Sequence, residues 1–491
     1  MVCKSLRSVS NCDYPALTQI QQLSSTGEQS SDFRGQISWA LFEFARSPYV
    51  SLVFVFVFAP YFATTVVGDP VRGQELWGLA NTLVGIFIGL VAPLLGAIAD
   101  RTGRRKTWIA GIVAIMVPCC FALWFVMPGA ETGLSVPATM FLVATLLACF
   151  MFSEMFHNAM LPSLAASDRL GRLSGMGISV GNGGTLLALF VMLFGVALPA
   201  SGLVDWPFLP ERPLFGLDPE SHEHDRIVGP VAGMWLTIFI IPMLLWTPDR
   251  PSTGVPVTRA AREGLSKVWN TIKRVRQIRN IGLYLLARML YNDGKVAILA
   301  YSGIYAVGTF EWELVEILLF AIVLTPFSIS GGLVGGWLDD KFGSKRAIQM
   351  TIGGTCIGML AAVSCRPTSI FFLIPHDAAV SGPVWSLPYF QTLPEIIYII
   401  TFMLLAATVT AAFASSRSMM ARISPVSMMS QFFGLYALSG TVTAFLGHGT
   451  VTFFTGIFQS QAIGFASVII LLAAGFVIMF WVREERAAGF D

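Results

Sequence analysis

The chain contains about twelve apolar stretches, each long enough to cross a lipid bilayer as a helix. A spanning helix needs ~20 mostly apolar residues, and of the 491 residues 55% are hydrophobic and only 12% are charged. Barrel strands are much shorter, and backbone in lipid must satisfy its own hydrogen bonds. The sequence therefore predicts an all-α integral membrane protein. The stretches lie near residues 38–66, 75–99, 107–127, 137–161, 174–199, 228–247, 281–308, 314–338, 347–365, 394–414, 430–457 and 461–482.

Basic residues in the connecting loops predict the orientation of the chain. Lys and Arg near helix ends resist translocation, and most of them follow the even-numbered stretches. The odd-numbered loops contain only Arg72, Arg212, Arg226 and Arg366. We therefore expect both termini in the cytosol and the acidic segment 200–227 on the other side. The net charge of +2 gives no reason to expect a nucleic-acid partner.

The most basic segment, 248–280, separates six apolar stretches from the next six. Its apolar residues recur at helical spacing opposite the basic ones, which predicts an amphipathic linker helix on the cytosolic membrane face; a calmodulin-type target helix has the same pattern. The polar N-terminus lacks the order of a signal peptide. The predicted units are a flexible cytosolic tail (1–35), a six-helix bundle (36–247), the linker (248–280), a second six-helix bundle (281–482) and a cytosolic tail (483–491).

A motif of glycine and charged residues occurs twice, and its two copies begin 240 residues apart. Its recurrence at the same place in each half indicates an internal repeat. We expect the first glycine of each copy to permit close helix approach and the second to form a tight turn. The aspartates are expected to meet an arginine or a helix N-terminus of the opposite half. The two copies comprise Gly96, Asp100, Arg101, Gly103, Arg104 and Arg105, and Gly336, Asp340, Lys341, Gly343, Lys345 and Arg346.

This duplicated motif resembles that of the major facilitator superfamily. The resemblance implies a major facilitator fold of two six-helix halves that expose a central site, between helices 1, 4, 7 and 10, to each side in turn. It also implies that the motif acts as a cytosolic gate, and that the protein works as a monomer. Arg417 and Arg422, at the cytosolic end of the tenth stretch, are assigned to this gate.

Further segments, between Trp39 and about Phe480, resemble the bacterial branch of the vacuolar amino-acid effluxer (autophagy-related) family. They are residues 39–49, 157–162, 291–294, 303–306, 416–418 and 432–436. The resemblance implies an amino-acid substrate and a location in the inner (plasma) membrane. Two residues depart from the family pattern: Arg46 stands where many members have a small polar residue, and Gln431 stands where an acid is expected. The second departure removes a candidate acid for proton coupling.

Charged residues within the apolar stretches are the candidate functional residues, since each costs about 2.5–3.5 kcal/mol at the bilayer centre. Glu43 and Arg46 are three residues apart, which fits a local ion pair or contact with substrate. Glu154 is a candidate proton acceptor, and with His157 it lacks the further ligands of a metal site. We expect neither metal nor cofactor. The substrate-binding or coupling candidates are Glu43, Arg46, Glu154, His157, Asn158, Asn182, Arg288, Tyr291, Asn292, Asp293, Lys295 and Tyr436.

The seventh stretch has the densest polar residues. Asp293 with Lys295 or Arg288 offers both signs of charge, which fits recognition of a zwitterion or an internal salt bridge. Gly294 and Gly303 beside these residues predict a locally broken helix that lines a cavity.

The predicted function is secondary transport of a small polar solute, an amino acid or similar zwitterion, with lipid and protons as further partners. The alternatives are a cation-coupled symporter of a sugar or organic anion, a receptor with a transporter fold, and an intramembrane enzyme. An enzyme would need a nucleophile near a base, and no Ser or Cys motif accompanies Glu154 and His157. We therefore predict that the chain is not an enzyme.

Overall fold

The computed structural model describes most of the chain, and the statements below concern only the described residues. These are residues 24, 30–130, 133–165, 170–202, 209–210, 212–218, 220–249, 259, 279–377, 381–423, 435–436, 439–440 and 443–484. The predicted linker helix lies outside them, apart from Arg259 and the two ends of the segment.

Twelve long helices occupy the predicted apolar stretches within the described residues. By length and composition, ten can span a membrane. Of the other two, α7 carries charged residues in its middle, and the apolar part of α11 is short (Phe445–Phe458). The helices are α1 (Phe33–Val66), α2 (Pro70–Thr102), α3 (Arg105–Ala122), α4 (Val136–Leu164), α5 (Leu170–Met192), α6 (Val228–Trp246), α7 (Arg279–Phe310), α8 (Leu314–Phe342), α9 (Ser344–Ser364), α10 (Leu393–Ile423), α11 (Ala444–Phe458) and α12 (Gln461–Trp481).

Short elements complete the described fold. Two short strands pair antiparallel between α9 and α10: β1 (Ser369–Ile370) and β2 (Ile374–Pro375). The short helical pieces are Leu123–Phe125, Pro128–Ala130, Leu193–Ala197, Leu198–Ser201, Leu214–Gly216 and Glu223–Arg226. We call the end of the bundle at which α2 and α8 end the motif end, and the opposite end the loop end.

Helix α1 is irregular in its second half, where it meets α7. Two π-helical stretches, Val50–Phe56 and Phe62–Val66, flank Pro60, whose missing N–H removes one bond of the regular ladder. A Cβ on Gly303 of α7 would lie 2.2 Å from the carbonyl oxygen of Val55. The two backbones can therefore approach closely only because residue 303 is glycine.

The predicted break in the seventh helix is wrong. Helix α7 runs without interruption from Arg279 to Phe310. Its glycines admit neighbouring helices instead: a Cβ on Gly294 would lie 2.9 Å from Leu472 of α12. A glycine beside polar residues is compatible with either a break or a close contact, and here close packing against α1 and α12 accounts for both glycines.

Direct contacts between the first six and the last six helices include α2 with α11, α1 with α7 and α5 with α8. Near the loop end, Gln74 donates a hydrogen bond to the Thr455 hydroxyl at 2.8 Å. Gln461 donates another to the carbonyl of Pro70 at 2.8 Å. The division of the chain at 248–280 stays a prediction.

The motif glycines confirm one expectation and contradict the other. Gly103 and Gly343 have φ values of 88° and 84°, as the predicted tight turns require. The expectation that Gly96 and Gly336 bring helices together is wrong for the described residues. Among them, a Cβ on Gly336 would meet nothing within 4 Å, and one on Gly96 would meet only the Met155 sulfur at 3.8 Å. In α8 the close approach to α10 is made by Gly331 and Gly335.

Neighbouring glycines of α8 therefore provide a matched test of this packing. A Cβ on Gly335 would lie 2.7 Å from the Cα of Ala411, so we expect Gly335→Ala to destabilise the protein by about 1–3 kcal/mol through overpacking. Gly336→Ala adds the same methyl group in open space and should be neutral or slightly stabilising. Thermal unfolding of the purified protein, followed by tryptophan fluorescence, measures the difference. Equal midpoints for the two variants would contradict the assignment.

Candidate functional site

Four ionisable side chains of α1 and α4 form one cluster, which we call the first-half cluster: Glu43, Arg46, Glu154 and His157. Arg46 pairs closely with Glu43, with Nη2 2.7 Å from Oε2, as the i, i+3 spacing predicts. Its Nη1 lies 3.4 Å from Glu154 and makes no hydrogen bond of normal geometry to a described residue. Arg46 is thus held firmly by one carboxylate and loosely by the other.

The histidine of the cluster is fixed by Trp39. His157 is fully buried, and its ring stacks on the Trp39 indole with centroids 4.3 Å apart. Its Nε2 lies 2.9 Å from the Trp39 carbonyl oxygen, which can only accept, so Nε2 carries a proton. In return, the Trp39 indole N–H donates to the carbonyl of His157 at 3.1 Å. The other ring nitrogen, Nδ1, lies 3.2 Å from Glu43 Oε1.

The charges of the first-half cluster do not balance when the histidine is neutral. Two carboxylates face one guanidinium, which leaves one negative charge uncompensated among apolar helices. A proton between Nδ1 of His157 and Glu43 would remove that charge and turn two facing acceptors into a hydrogen bond. The cluster can therefore hold one proton or one cationic group.

Arg288 of α7 is held by residues of the segment before α11. Its Nη1 donates to the Tyr436 carbonyl at 2.7 Å and to the Ser439 hydroxyl at 2.5 Å, and its guanidinium lies 3.5 Å from the centre of the Tyr436 ring. The candidates Arg288 and Tyr436 are thus brought together. Their contacts are those of a structural tie between two elements.

Asp293 and Lys295 are buried near the middle of α7 and do not pair with each other. Residues two apart point to different faces of a helix. The Lys295 ammonium lies 3.5 Å from the centre of the Phe413 ring on α10 and 5.2 Å from that of Tyr291, and it has no hydrogen-bond acceptor among the described residues. Asp293 lies near Thr443 and Arg288, with no normal hydrogen bond in the described part of the chain. The internal salt bridge that the sequence left open is therefore not seen within the described residues.

The remaining candidates fall outside these groups. Asn158 and Asn182 are exposed on α4 and α5. Asn292 is buried on α7. The Tyr291 hydroxyl lies 2.8 Å from the Ser416 hydroxyl on α10 and serves to join the two helices.

At the motif end, carboxylates cap the two helices that follow the glycine turns. Both oxygens of Asp249 accept from α3, through the N–H groups of Arg105 and Lys106 at 3.1 and 3.0 Å. Glu484 accepts from Ser344 and Lys345 of α9 in the same way, at 3.0 Å each. A carboxylate at a helix N-terminus satisfies free N–H groups and interacts favourably with the helix dipole. The two copies of the motif thus share a three-dimensional contact, because a carboxylate caps the helix that follows each copy.

The other gate candidates take varied positions. Arg422 joins Asp339 of α8, at 3.4 Å, to Glu484, at 2.9 Å, so this tie runs within the last six helices. Arg417, Arg104 and Arg346 are exposed, and the Lys341 ammonium lies 4.7 Å from the Trp337 ring centre. The side chains of Asp100, Arg101 and Asp340 are outside the described part, so their predicted latch contacts stay predictions.

A cavity of about 380 Å³ opens at the loop end. It is lined by α1, α7, α8, the end of the piece that follows α5, and the segment before α6. Two histidines and an aspartate of that segment, His222, His224 and Asp225, stand on its wall. The hydrogen bond to Asp225 raises the pKa of His222.

Sequence reasoning missed several of these residues. Phe413 under Lys295 and the caps Asp249 and Glu484 carry no local signal, because each acts on a helix distant in sequence. The sequence His-Glu-His-Asp at 222–225 places two histidines and an aspartate close together along the chain, so this group could have been identified from the sequence.

The family, sequence and structure comparisons with known proteins agree with one another. Residues 79–489 match the family described as "Vacuole effluxer Atg22 like". The chain is 23% identical over 462 residues to the uncharacterized MFS-type transporter YxiO of Bacillus subtilis, covering 92% of this chain and 95% of that protein. Autophagy-related protein 22-1 of Sclerotinia sclerotiorum is 28% identical over 127 residues, which cover 23% of this chain and 21% of that protein. The solved structure of a D-xylose-proton symporter superposes with a TM-score of 0.62 at 14% identity, covering 93% of this chain and 99% of the other.

The Glu484 cap yields a prediction on stability. Glu484→Gln keeps the shape of the side chain but removes the charge that faces two N–H groups and Arg422, so we expect a loss of about 1 kcal/mol in the free energy of unfolding. Glu75→Gln is the matched control, because its partner Arg72 is 56% exposed and such pairs contribute little. Thermal unfolding midpoints compare the two. A midpoint for Glu484→Gln no lower than that of the control would show that the cap does not stabilise the fold.

Proposed function

The chain belongs to the Atg22-like vacuole effluxer family, and on that premise we propose that it moves an amino acid or similar zwitterion by alternating access, coupled to protons. The coarser statement is established: it is a multi-pass membrane transporter of the major facilitator type and not an enzyme, since it matches an MFS-type transporter over most of both chains and shares the fold of a solved symporter. This confirms the predicted superfamily.

The observation that carries the substrate proposal is the loose contact between Arg46 and Glu154. Nη1 of Arg46 has no hydrogen bond of normal geometry to a described residue. Glu154 is 38% exposed and lies 3.4 Å from it. A zwitterion that enters between them would place its carboxylate on Arg46 and its ammonium on Glu154, so each charge keeps a partner. A neutral sugar offers no such replacement for the ion pair.

The proposal of proton coupling rests on the unbalanced charge of the first-half cluster. Without a bound ammonium, a proton between Nδ1 of His157 and Glu43, which lie 3.2 Å apart, would compensate the extra negative charge. With a substrate ammonium at Glu154, that charge is already compensated. Proton and substrate would therefore act on one electrostatic site, which is a physical basis for linking their movements.

A second candidate substrate is an organic anion. Lys295 supports it, because a buried ammonium whose described neighbours are aromatic rings would gain an ionic partner from an anion. We also propose a monomer in the plasma membrane with the motif end in the cytosol, where the motif, Arg417 and Arg422 would act as gate. The loop charges and the bacterial relative support this placement.

Transport by purified protein in liposomes tests the substrate. With a pooled amino-acid mixture, we expect mass spectrometry to show selective accumulation of one or a few amino acids above protein-free vesicles. Arg46→Lys keeps the charge but loses the fork of donors, and should raise the KM of the accumulated amino acid roughly tenfold, the effect of one lost charge-assisted hydrogen bond. Glu154→Gln should act in the same direction.

The control is Glu75→Gln, which changes a half-buried acid of α2 that pairs with the exposed Arg72, and it should leave the KM unchanged. Accumulation of organic anions alone, lost in Lys295→Met, would replace the zwitterion proposal with the second candidate. Accumulation of neither class would refute both.

Proton coupling has a separate test. An imposed proton gradient should drive accumulation in the wild type, whereas His157→Asn, which cannot hold the proton, should lose gradient-driven accumulation yet retain exchange of labelled for unlabelled substrate. His448→Asn is the control, because His448 lies on α11 against Tyr301, outside the cluster, and should keep both activities. Gradient-driven accumulation that persists in His157→Asn would exclude His157 as the proton site.

A further inference from the structure

Three potential metal ligands meet on the wall of the loop-end cavity. His222 Nδ1 lies 3.0 Å and His224 Nε2 3.4 Å from the same oxygen of Asp225. The three ligand atoms all lie within 4.8 Å of one another. Two ligands each about 2.1 Å from a tetrahedral ion are about 3.4 Å apart, so the two separations from Asp225 are close to those of donors that share one ion.

The backbone around these residues is held in a specific conformation. His222 has a φ of 53°, in the left-handed region that a residue with a large side chain rarely adopts. The next turn, Glu223–Arg226, is anchored by Arg226, which is 3% exposed and donates to the carbonyl of Trp124 at 2.9 Å. The two imidazoles thus converge on Asp225 from a fixed segment.

The surrounding charges allow a cation at this place. The Arg226 guanidinium lies over the Trp124 ring and 3.7 Å from Glu223, so its charge is partly compensated. Glu313, the residue before α8, lines the same cavity. Two imidazoles and a carboxylate are a ligand set that suits Zn²⁺, and three protein ligands leave a coordination position open.

We propose that His222, His224 and Asp225 form a binding site for a divalent transition-metal ion of the Zn²⁺ class, at the mouth of the loop-end cavity. The site stands apart from the first-half cluster, and it holds whether or not an amino acid is the substrate. The ligands come from one four-residue segment, so binding requires no movement of one half against the other. The geometry is also explained by hydrogen bonds between the histidines and Asp225 alone. That explanation predicts that the three residues bind no metal ion.

Titration of the full-length, tag-free protein with Zn²⁺ in detergent, by calorimetry, tests the proposal. We expect one ion per chain, and Co²⁺ as a probe should give the absorption bands of a low-coordinate, nitrogen-containing site. His222→Asn is the preferred variant, because asparagine tolerates the left-handed conformation. It and Asp225→Asn should each weaken binding at least about tenfold, since even outer-shell partners of a metal contribute that much.

The control is His376→Asn, which changes a histidine between β2 and α10 and should leave the affinity unchanged. Wild-type protein that binds no Zn²⁺, or binds it equally well in His222→Asn and Asp225→Asn, would overturn the proposal. If the variants fail to fold, pulsed electron paramagnetic resonance of Cu²⁺ bound to the wild type decides: coupling to two imidazoles supports the site, and coupling to none refutes it.

Discussion

Charged side chains buried among apolar helices must be compensated where they stand, because removing a charge from water costs several kcal/mol. Two buried arginines meet this requirement differently, whereas Asp293 and Lys295 of α7 have no normal hydrogen bond among the described residues. On α1 and α4, Arg46 has carboxylates on both sides, one at 2.7 Å and one at 3.4 Å. On α7, Arg288 is held by a carbonyl, a hydroxyl and a tyrosine ring. The first arrangement leaves one loose ionic contact, whereas in the second Nη1 of Arg288 joins α7 to the segment before α11.

The hydrogen bonds and ion pairs at the two ends of the bundle join different parts of the protein. At the motif end, the described ties run within one half: Asp249 caps α3, Glu484 caps α9, and Arg422 joins Asp339 to Glu484. Near the loop end, hydrogen bonds from Gln74 and Gln461 run between the halves. At the motif end, the described ties therefore hold each half together internally. The described hydrogen bonds between the halves lie mainly near the loop end.

The sequence predicts the helices well, because lipid leaves the backbone no alternative, and α1 to α12 occupy the twelve predicted stretches. It also predicts the pairing of Glu43 with Arg46, a local contact. It does not predict that His157 meets Glu43, because that contact depends on the packing of α1 against α4. It likewise cannot say that Gly335 rather than Gly336 faces α10, since a shift of one residue turns the helix face by about 100°. Such facts belong to tertiary packing.

The placement of the first-half cluster bears on how the two halves could be coupled. Its members come from α1 and α4 only, so a rigid-body motion of one half against the other leaves all four side chains together. Helix α1, however, also packs against α7 through its π-helical second half, at Val55 and Gly303. A change in that contact would shift Glu43 and Arg46 of α1 against Glu154 and His157 of α4, and would alter the 3.2 Å contact of Glu43 with His157 as well as the 3.4 Å contact of Arg46 with Glu154. The contacts between α1 and α4 are therefore the parts of the cluster that rocking of the halves would alter, and under the proposed function the looser of them, between Arg46 and Glu154, is where the substrate would bind.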